Sequence, residues 1–236
     1  MAYPHGVTAR VPVPALPVND DGGVLLQRLV DDGTLHAEEA ALARTLPAPR
    51  RATFVAGRQA LRDAVRQLPD HRSAHEVPVL RTPRGAPLLP PELTGSVTHK
   101  RTLAMATVAP RTADVLHLGL DLERRPTEAD LTRPSIAPKI LTGREAAALA
   151  VLDRDAMAVR ERTLVYFSLK EAVYKAIDPF VERYVRFTEV ELTLDDEGEA
   201  SVRLLLPELA HGRVQVEARW TLEDEWIVAT ATSREG

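Results

Sequence analysis

A chain of 236 residues with 44% hydrophobic and 27% charged residues can bury one large core or two small ones, and has the make-up of an ordinary globular protein. Its net charge of −4 and 4% aromatic content argue against a general nucleic-acid binder, which needs a basic excess and stacking platforms, so any anion site must be local. With no cysteine it has no disulfide, no thiolate metal site and no cysteine nucleophile.

The first twenty residues hold Pro4, Pro12, Pro14 and Pro17 without an uninterrupted apolar run. They are expected to be extended, with neither a signal peptide nor a membrane span, which points to a cytoplasmic protein. Residues 31–46 and 52–68 combine alanine, leucine and charge in a helical manner, with Pro47 and Pro49 separating them. Residues 77–95, with five prolines, Gly85 and Gly95, predict a long irregular loop lying over a surface or ligand. Strands are predicted at 102–108 and 116–122, then a charged, proline-interrupted loop over 124–138. Helices follow over 142–152 and 157–177, the second stopped by Pro179. Residues 190–194, 200–206, 214–222 and 226–232, separated by Asp195-Asp196-Glu197-Gly198 and Gly212, predict an antiparallel meander.

Two segments carry chemistry. Leu118, Leu120 and Leu122 alternate with Gly119, Asp121 and Glu123, so a strand here buries the leucines and points both carboxylates out of the other face. Gly119 is expected to leave that polar face open beside Asp121. In Phe167-Ser-Leu-Lys170-Glu171-Ala-Val-Tyr174-Lys175, Glu171 and Lys175 stand four residues apart and share a helix face. Convergence of Asp121, Glu123 and Glu171 would be costly, because like charges in one site resist joint ionisation. A divalent cation removes that conflict, and all-oxygen ligands suit Mg²⁺, which completes its octahedron with waters and substrate phosphate oxygens. The pattern predicts a metal-assisted site for a phosphate ester or anhydride. Taken singly, each motif is more often a solvated strand end or helix face. Walker and dinucleotide glycine loops and His-Glu-x-x-His are missing, which argues against an ATP-, NAD- or zinc-dependent enzyme.

Together with Pro49-Arg50-Arg51, Phe54, Gly57-Arg58, Arg62, Gly85-Ala86-Pro87 and Gly95-Ser96-Val97-Thr98-His99, these motifs resemble the 4′-phosphopantetheinyl transferase superfamily. The resemblance is to the two-domain branch that contains the surfactin and enterobactin synthetase activating enzymes. The family's Gly-x-Asp-x-Glu matches 119–123, and its Trp/Phe-Ser/Thr-x-Lys-Glu-Ala/Ser-x-x-Lys matches 167–175, with Phe167 as in the enterobactin-like variant. Its Gly-x-Pro and Gly-Ser-x-Ser/Thr-His stretches match 85–87 and 95–99; Thr98 replaces the commoner serine, a mild change because either hydroxyl donates to phosphate. Ordered matches run from about residue 47 to 190.

The resemblance implies an α+β fold of two similar α/β halves related by a pseudo-twofold axis, with the active site in the cleft between them. We place the boundary near residue 114: a half over 1–114 for the coenzyme A nucleotide and a half over 115–236 for the metal ligands and catalytic helix. A faint likeness between 54–62 and 167–175 agrees. The implied enzyme, a holo-[carrier-protein] synthase, moves the phosphopantetheine arm of coenzyme A onto a serine of an acyl or peptidyl carrier protein and releases 3′,5′-ADP. By the same resemblance Asp121, Glu123 and Glu171 are Mg²⁺ ligands, Glu171 is also the general base, and Lys175 contacts the phosphates. Arg51 and Arg58 match positions that reach the 3′-phosphate, with Arg50 and Arg62 as runners-up. Thr98 and His99 match a hydroxyl–imidazole pair beside the phosphates, and Gly85 and Pro87 a backbone stretch along the adenine. Lys170 either holds Glu171 in place or is solvated. Arg124, Arg125 and Arg133 are candidates to meet the acidic face of a carrier. Two other functions stay open: a coenzyme A or carrier-binding module without turnover, and a metal-dependent phosphohydrolase. The chain is expected to be a monomer.

Overall fold

In the computed structural model, which describes residues 6–14, 23–152 and 155–236, backbone contacts divide the chain into two units, Met1–Thr112 and Ala113–Gly236, both mixing helix and sheet. The first strings together β1 (Val7–Pro12), α1 (Gly23–Asp31), α2 (Ala37–Arg44), α3 (Ala48–Arg66), a 3₁₀ stretch (Pro69–Glu76), β2 (Leu93–His99) and β3 (Leu103–Pro110). Its antiparallel sheet has the order β1-β3-β2, with Val7 and Gly95 both opposite Val108. The proline-rich start is thus extended over 7–12, with Pro12 on an edge strand where a missing N–H is tolerated; Pro4 and Pro17 lie outside the described residues.

An alanine stripe seats α3 on this sheet. Ala56, Ala60 and Ala64, at four-residue spacing, join Leu61 and Val65 against Leu93, Ala104, Ala106 and Val108. The helix starts at Ala48 rather than 52, because Pro47 takes the cap and Pro49 the first turn, where its missing N–H has no partner to lose. The helix predicted over 31–46 is α2, over 37–44; α1, which was not predicted, ends at Asp31, and the chain turns through Gly33 (φ 75°) with Asp32 Oδ1 accepting from Thr34 N before α2 begins. The predicted loop over 77–95 ends earlier, since Leu93 already pairs in β2.

The second unit runs β4 (His117–Arg124), a 3₁₀ turn (Glu128–Thr132), α4 (Ala137–Ile140), α5 (Gly143–Leu152), α6 (Ala156–Val181), β5 (Val190–Leu194), β6 (Glu199–Leu204), β7 (Val214–Glu223) and β8 (Trp226–Glu235). The predicted meander is present in the strand order β4-β8-β7-β6-β5, and β4 joins it antiparallel to β8, with Asp121 opposite Ala229. Val165, Leu169, Ala172, Val173 and Ala176 of α6 pack with Ile227, Ala229 and Ala231 in the core. Pro179 does not stop α6 as expected. The helix runs to Val181 and ends where Glu182 adopts φ 50° and donates its N–H to Asp178 O. Tertiary packing outweighs the proline's lost hydrogen bond: Phe180 in that last turn meets the His117 ring edge-on at 5.1 Å.

One buried acid ties the helices of each unit together. Glu39, three residues after the cap of α2, accepts from His36 N (2.8 Å), Val79 N (2.7 Å) and Arg62 Nη2 (2.8 Å). Glu145, three residues after Thr142, accepts from Thr142 N (2.7 Å), Leu192 N (2.7 Å) and Lys170 Nζ (2.6 Å). Each is a capping-box glutamate drawn inside to meet a cation from the unit's long helix.

Beyond α6, Arg183 holds two turns at once, donating to Glu189 Oε1 (3.0 Å) and Glu208 Oε1 (2.6 Å). Hydrogen bonds from Arg183 first, then from the Arg186 backbone, lower the Glu189 carboxyl from 4.5 to about 2. A depressed folded value contributes stability that is whole above the unfolded value and disappears as pH falls through the folded one. We therefore expect the stability gap between wild type and Glu189→Gln to be constant above pH ~5 and to close between ~4.5 and ~2, as read by urea unfolding across pH. Among the described residues no helix is long and apolar enough to cross a membrane.

Candidate functional site

The site residues of the second unit meet where β4 lies under α6. Leu118, Leu120 and Leu122 are buried, as their alternation predicts. The opposite face is not open. At Gly119 an added Cβ would stand 1.8 Å from the Ala172 carbonyl oxygen, so this glycine brings strand and helix backbones into contact. The expectation that it clears space beside Asp121 is overturned. We expect Gly119→Ala to force β4 off α6, at a cost of about 1–3 kcal/mol in urea unfolding.

With helix and strand this close, Asp121 is buried and held through both oxygens. Ser168 Oγ donates to Oδ2 at 3.0 Å, and Lys175 Nζ donates to Oδ1 at 3.0 Å and to Leu120 O at 2.6 Å. Ser168, Glu171, Ala172 and Lys175 follow the i, i+3, i+4, i+7 pattern, so Glu171 belongs to the helix stripe that reaches Asp121. Glu123 lies two residues along the same strand face and is half-buried. The donors are carboxylates on two elements packed together, an all-oxygen set of the kind magnesium takes. As the side chains stand, no three acidic or imidazole groups among the described residues are near enough to grip one ion, so the gathering is looser than the sequence suggests.

Lys170 neither holds Glu171 nor is solvated. It is 1% exposed, and its three protons go to Glu145 Oε2 (2.6 Å), Ile140 O (2.8 Å) and Phe187 O (3.0 Å). Burial lowers its pKa, while the Glu145 hydrogen bond raises it and opposes that effect. Lys170 and Glu171 are consecutive residues on different sides of the helix, one for the core and one for the stripe.

In the first unit Arg51 turns its guanidinium onto the end of α2, donating to Ala43 O (3.2 Å) and Leu46 O (3.1 Å). Arg62 is committed to Glu39, and Arg50 is exposed at the start of α3. Arg58 differs. It is 4% exposed, lies 4.4 Å over the Phe54 ring and donates to Leu80 O (3.1 Å), yet its Nε has no partner among the described residues. Burial first, then the charges of Arg81 and Arg62, lower its pKa to about 10, against the opposing pull of Glu39. Gly85, at φ 92°, and Pro87 belong to the exposed turn beyond Leu80, closed by the Arg81–Pro87 bridge. Thr98 is buried and His99 exposed at the end of β2; as consecutive strand residues they point to opposite faces rather than acting side by side. Arg124, Arg125 and Arg133 pair with Glu225, Glu161 and Asp130. Sequence reasoning assigned no role to Glu39, Glu145 or Ser168; only the Thr142-x-x-Glu145 spacing carried a readable capping signal.

Fold and site together define an α+β protein in which an Asp-x-Glu strand is locked to a helix bearing Lys-Glu-x-x-x-Lys. The family model described as 4′-phosphopantetheinyl transferase N-terminal domain matches residues 37–109, and that of the 4′-phosphopantetheinyl transferase superfamily matches 117–231. The chain belongs to the 4′-phosphopantetheinyl transferase superfamily. It is 35% identical over 158 residues to the 4′-phosphopantetheinyl transferase Svp of Streptomyces mobaraensis, covering 65% of this chain and 61% of that protein. Against PptT of Mycobacterium tuberculosis it is 29% identical, covering 68% of this chain and 66% of that one. The chain thus spans just under two thirds of the length of these two curated relatives. Npt of Nocardia iowensis is 27% identical, with 90% of this chain and 95% of that protein aligned. Among solved structures, the Chronobacterium ammoniagenes ACPS-CoA complex is 21% identical with a TM-score of 0.38, covering 50% of this chain and 96% of that one.

Proposed function

We propose that this chain transfers the 4′-phosphopantetheine arm of coenzyme A to a serine hydroxyl of an acyl or peptidyl carrier protein, releasing 3′,5′-ADP. Beside family membership, one observation supports the reading: the stripe of α6 that carries Glu171 and Lys175 is the one that holds Asp121, through Ser168 and Lys175. A carboxylate that can take a proton and a lysine that can hold phosphate therefore stand one helical turn apart, next to a buried acid. Asp121, Glu123 and Glu171 would hold a magnesium ion, which when bound neutralises charge on the pyrophosphate as its bond breaks. Glu171 takes the proton from the carrier serine as the new oxygen–phosphorus bond forms at the β-phosphate. The bond to the departing 3′,5′-ADP breaks, and the Lys175 ammonium stabilises the charge left on it.

In the first unit Arg58 suits the 3′-phosphate, because a buried guanidinium with an unpaired Nε keeps a donor for a dianion. Arg51 would join it by leaving its backbone carbonyls, Thr98 and His99 would contact phosphate separately, and Gly85 and Pro87 would line the adenine. Arg124 and Arg133, 64% and 72% exposed, offer positive charge to an acidic carrier face. Such a reaction belongs in the cytoplasm, to a monomer serving secondary-metabolite carriers. Mass spectrometry of an apo carrier incubated with coenzyme A, Mg²⁺ and the protein tests this: one arm added per carrier is expected, and an unmodified carrier would sink the reading. Release of 3′,5′-ADP without carrier would point instead to a hydrolase, and binding of coenzyme A with no product to a module without turnover.

A further inference from the structure

We propose, on the reading of Asp121 as a cation ligand given above, that Ser168 is a positioning residue: its hydroxyl fixes the rotation of the Asp121 carboxylate and so the lone pairs presented to a divalent ion. Ser168 is fully buried, so its hydroxyl cannot turn to solvent. A serine or threonine inside a helix ordinarily donates back to the carbonyl four residues earlier. Thr163 of the same helix does so, bonding Val159 O at 2.7 Å. Ser168 instead reaches across to β4 and bonds Asp121 Oδ2 at 3.0 Å.

That reach depends on the close approach of the two backbones at Gly119 and Ala172, one helical turn along. Because Lys175 holds Oδ1 while Ser168 holds Oδ2, the carboxylate cannot rotate about its own axis without breaking both bonds. Lys175 is 28% exposed and, in the reading above, moves its charge to phosphate during the reaction; the neutral, buried Ser168, bonded to Asp121, stays as the constant anchor. Fixing a ligand through a hydrogen bond of this kind is worth roughly 10–100-fold in metal affinity.

The test uses the full chain with Mn²⁺ as the probe, its binding followed by electron paramagnetic resonance in the presence of coenzyme A. Ser168→Ala is expected to weaken Mn²⁺ binding about tenfold. Its thermal midpoint should fall modestly, because the buried Asp121 Oδ2 loses its donor, while the chain stays folded and its affinity for coenzyme A without metal stays near wild type. Ser168→Thr, which keeps the hydroxyl, should recover most of the Mn²⁺ affinity. Wild-type Mn²⁺ affinity in Ser168→Ala, or Ser168→Thr as weak as the alanine variant, would overturn the positioning role. Asp121→Asn separates the two levels. If that variant binds Mn²⁺ as tightly as wild type, Asp121 is no ligand and the underlying reading fails; if it loses Mn²⁺ while Ser168→Ala does not, only the role of Ser168 fails.

Discussion

Asp121→Asn and Glu171→Ala should each reduce arm transfer roughly a hundredfold or more, the scale on which one preorganised charged group contributes to a transition state, while the fold survives. The two variants fail for different reasons. Asparagine keeps the size of Asp121 and an oxygen for Ser168, but removes the charge that faces Lys175 and that a magnesium ion would use. Glu171 is half-buried on the α6 stripe and lies outside the hydrophobic core, so truncating it removes a proton acceptor and leaves packing intact. The measurement is the rate of mass gain of an apo carrier at saturating coenzyme A, with thermal midpoints as the control for folding. Retention of more than about a tenth of wild-type rate in Glu171→Ala would remove it as the base, since general-base catalysis is worth about 10²–10⁴.

The largest effect on stability is expected at Glu145. Breaking a buried pair by removing one partner leaves the other charge unsatisfied, at a cost of about 3–5 kcal/mol. Glu145→Ala strands Lys170 at 1% exposure and also releases the backbone N–H groups of Thr142 and Leu192. Lys170→Met should cost less, because Glu145 keeps both of those N–H donors. The double variant Glu145→Leu, Lys170→Met should recover much of the loss, as well-packed apolar replacements of buried pairs commonly do. Both tryptophans, Trp220 and Trp226, lie in the second unit, so their fluorescence in urea follows that unit alone. A loss below about 1 kcal/mol in Glu145→Ala would mean that the pair is solvated in solution, as exposed pairs of that strength are.

These outcomes divide along the line between what pattern reveals and what packing adds. Period-two alternation in 118–123 places the leucines on one buried face, and the strands after residue 190 pair as a meander, because a strand has only two faces and its neighbours are adjacent in sequence; that the face of Asp121 is buried too came from packing against α6. The same holds for the Glu171 and Lys175 stripe, since helical period is local. Length was less legible where tertiary contacts override propensity: α6 passes through Pro179, and the helix expected over 31–46 begins only at Ala37, after the turn that follows α1. Composition also misled at charged positions. Lys170, Arg62, Glu39 and Glu145 look like surface residues in a pattern of charges, yet all four are buried because each finds its counterpart far along the chain.

The sequence by itself therefore determined the superfamily, the sheet alternation, the helix stripe and the acids and lysine that carry the proposed chemistry, for these rest on short-range periodicity and motif spacing. Tertiary structure alone decided that Gly119 joins backbones instead of clearing space, that Ser168 and Lys175 both hold Asp121, and that Lys170 belongs to Glu145. The physical reason is distance along the chain: Ser168 and Asp121 are 47 residues apart, and Lys170 and Glu145 are 25. No local rule selects one distant partner over another; the close approach of strand and helix backbones does.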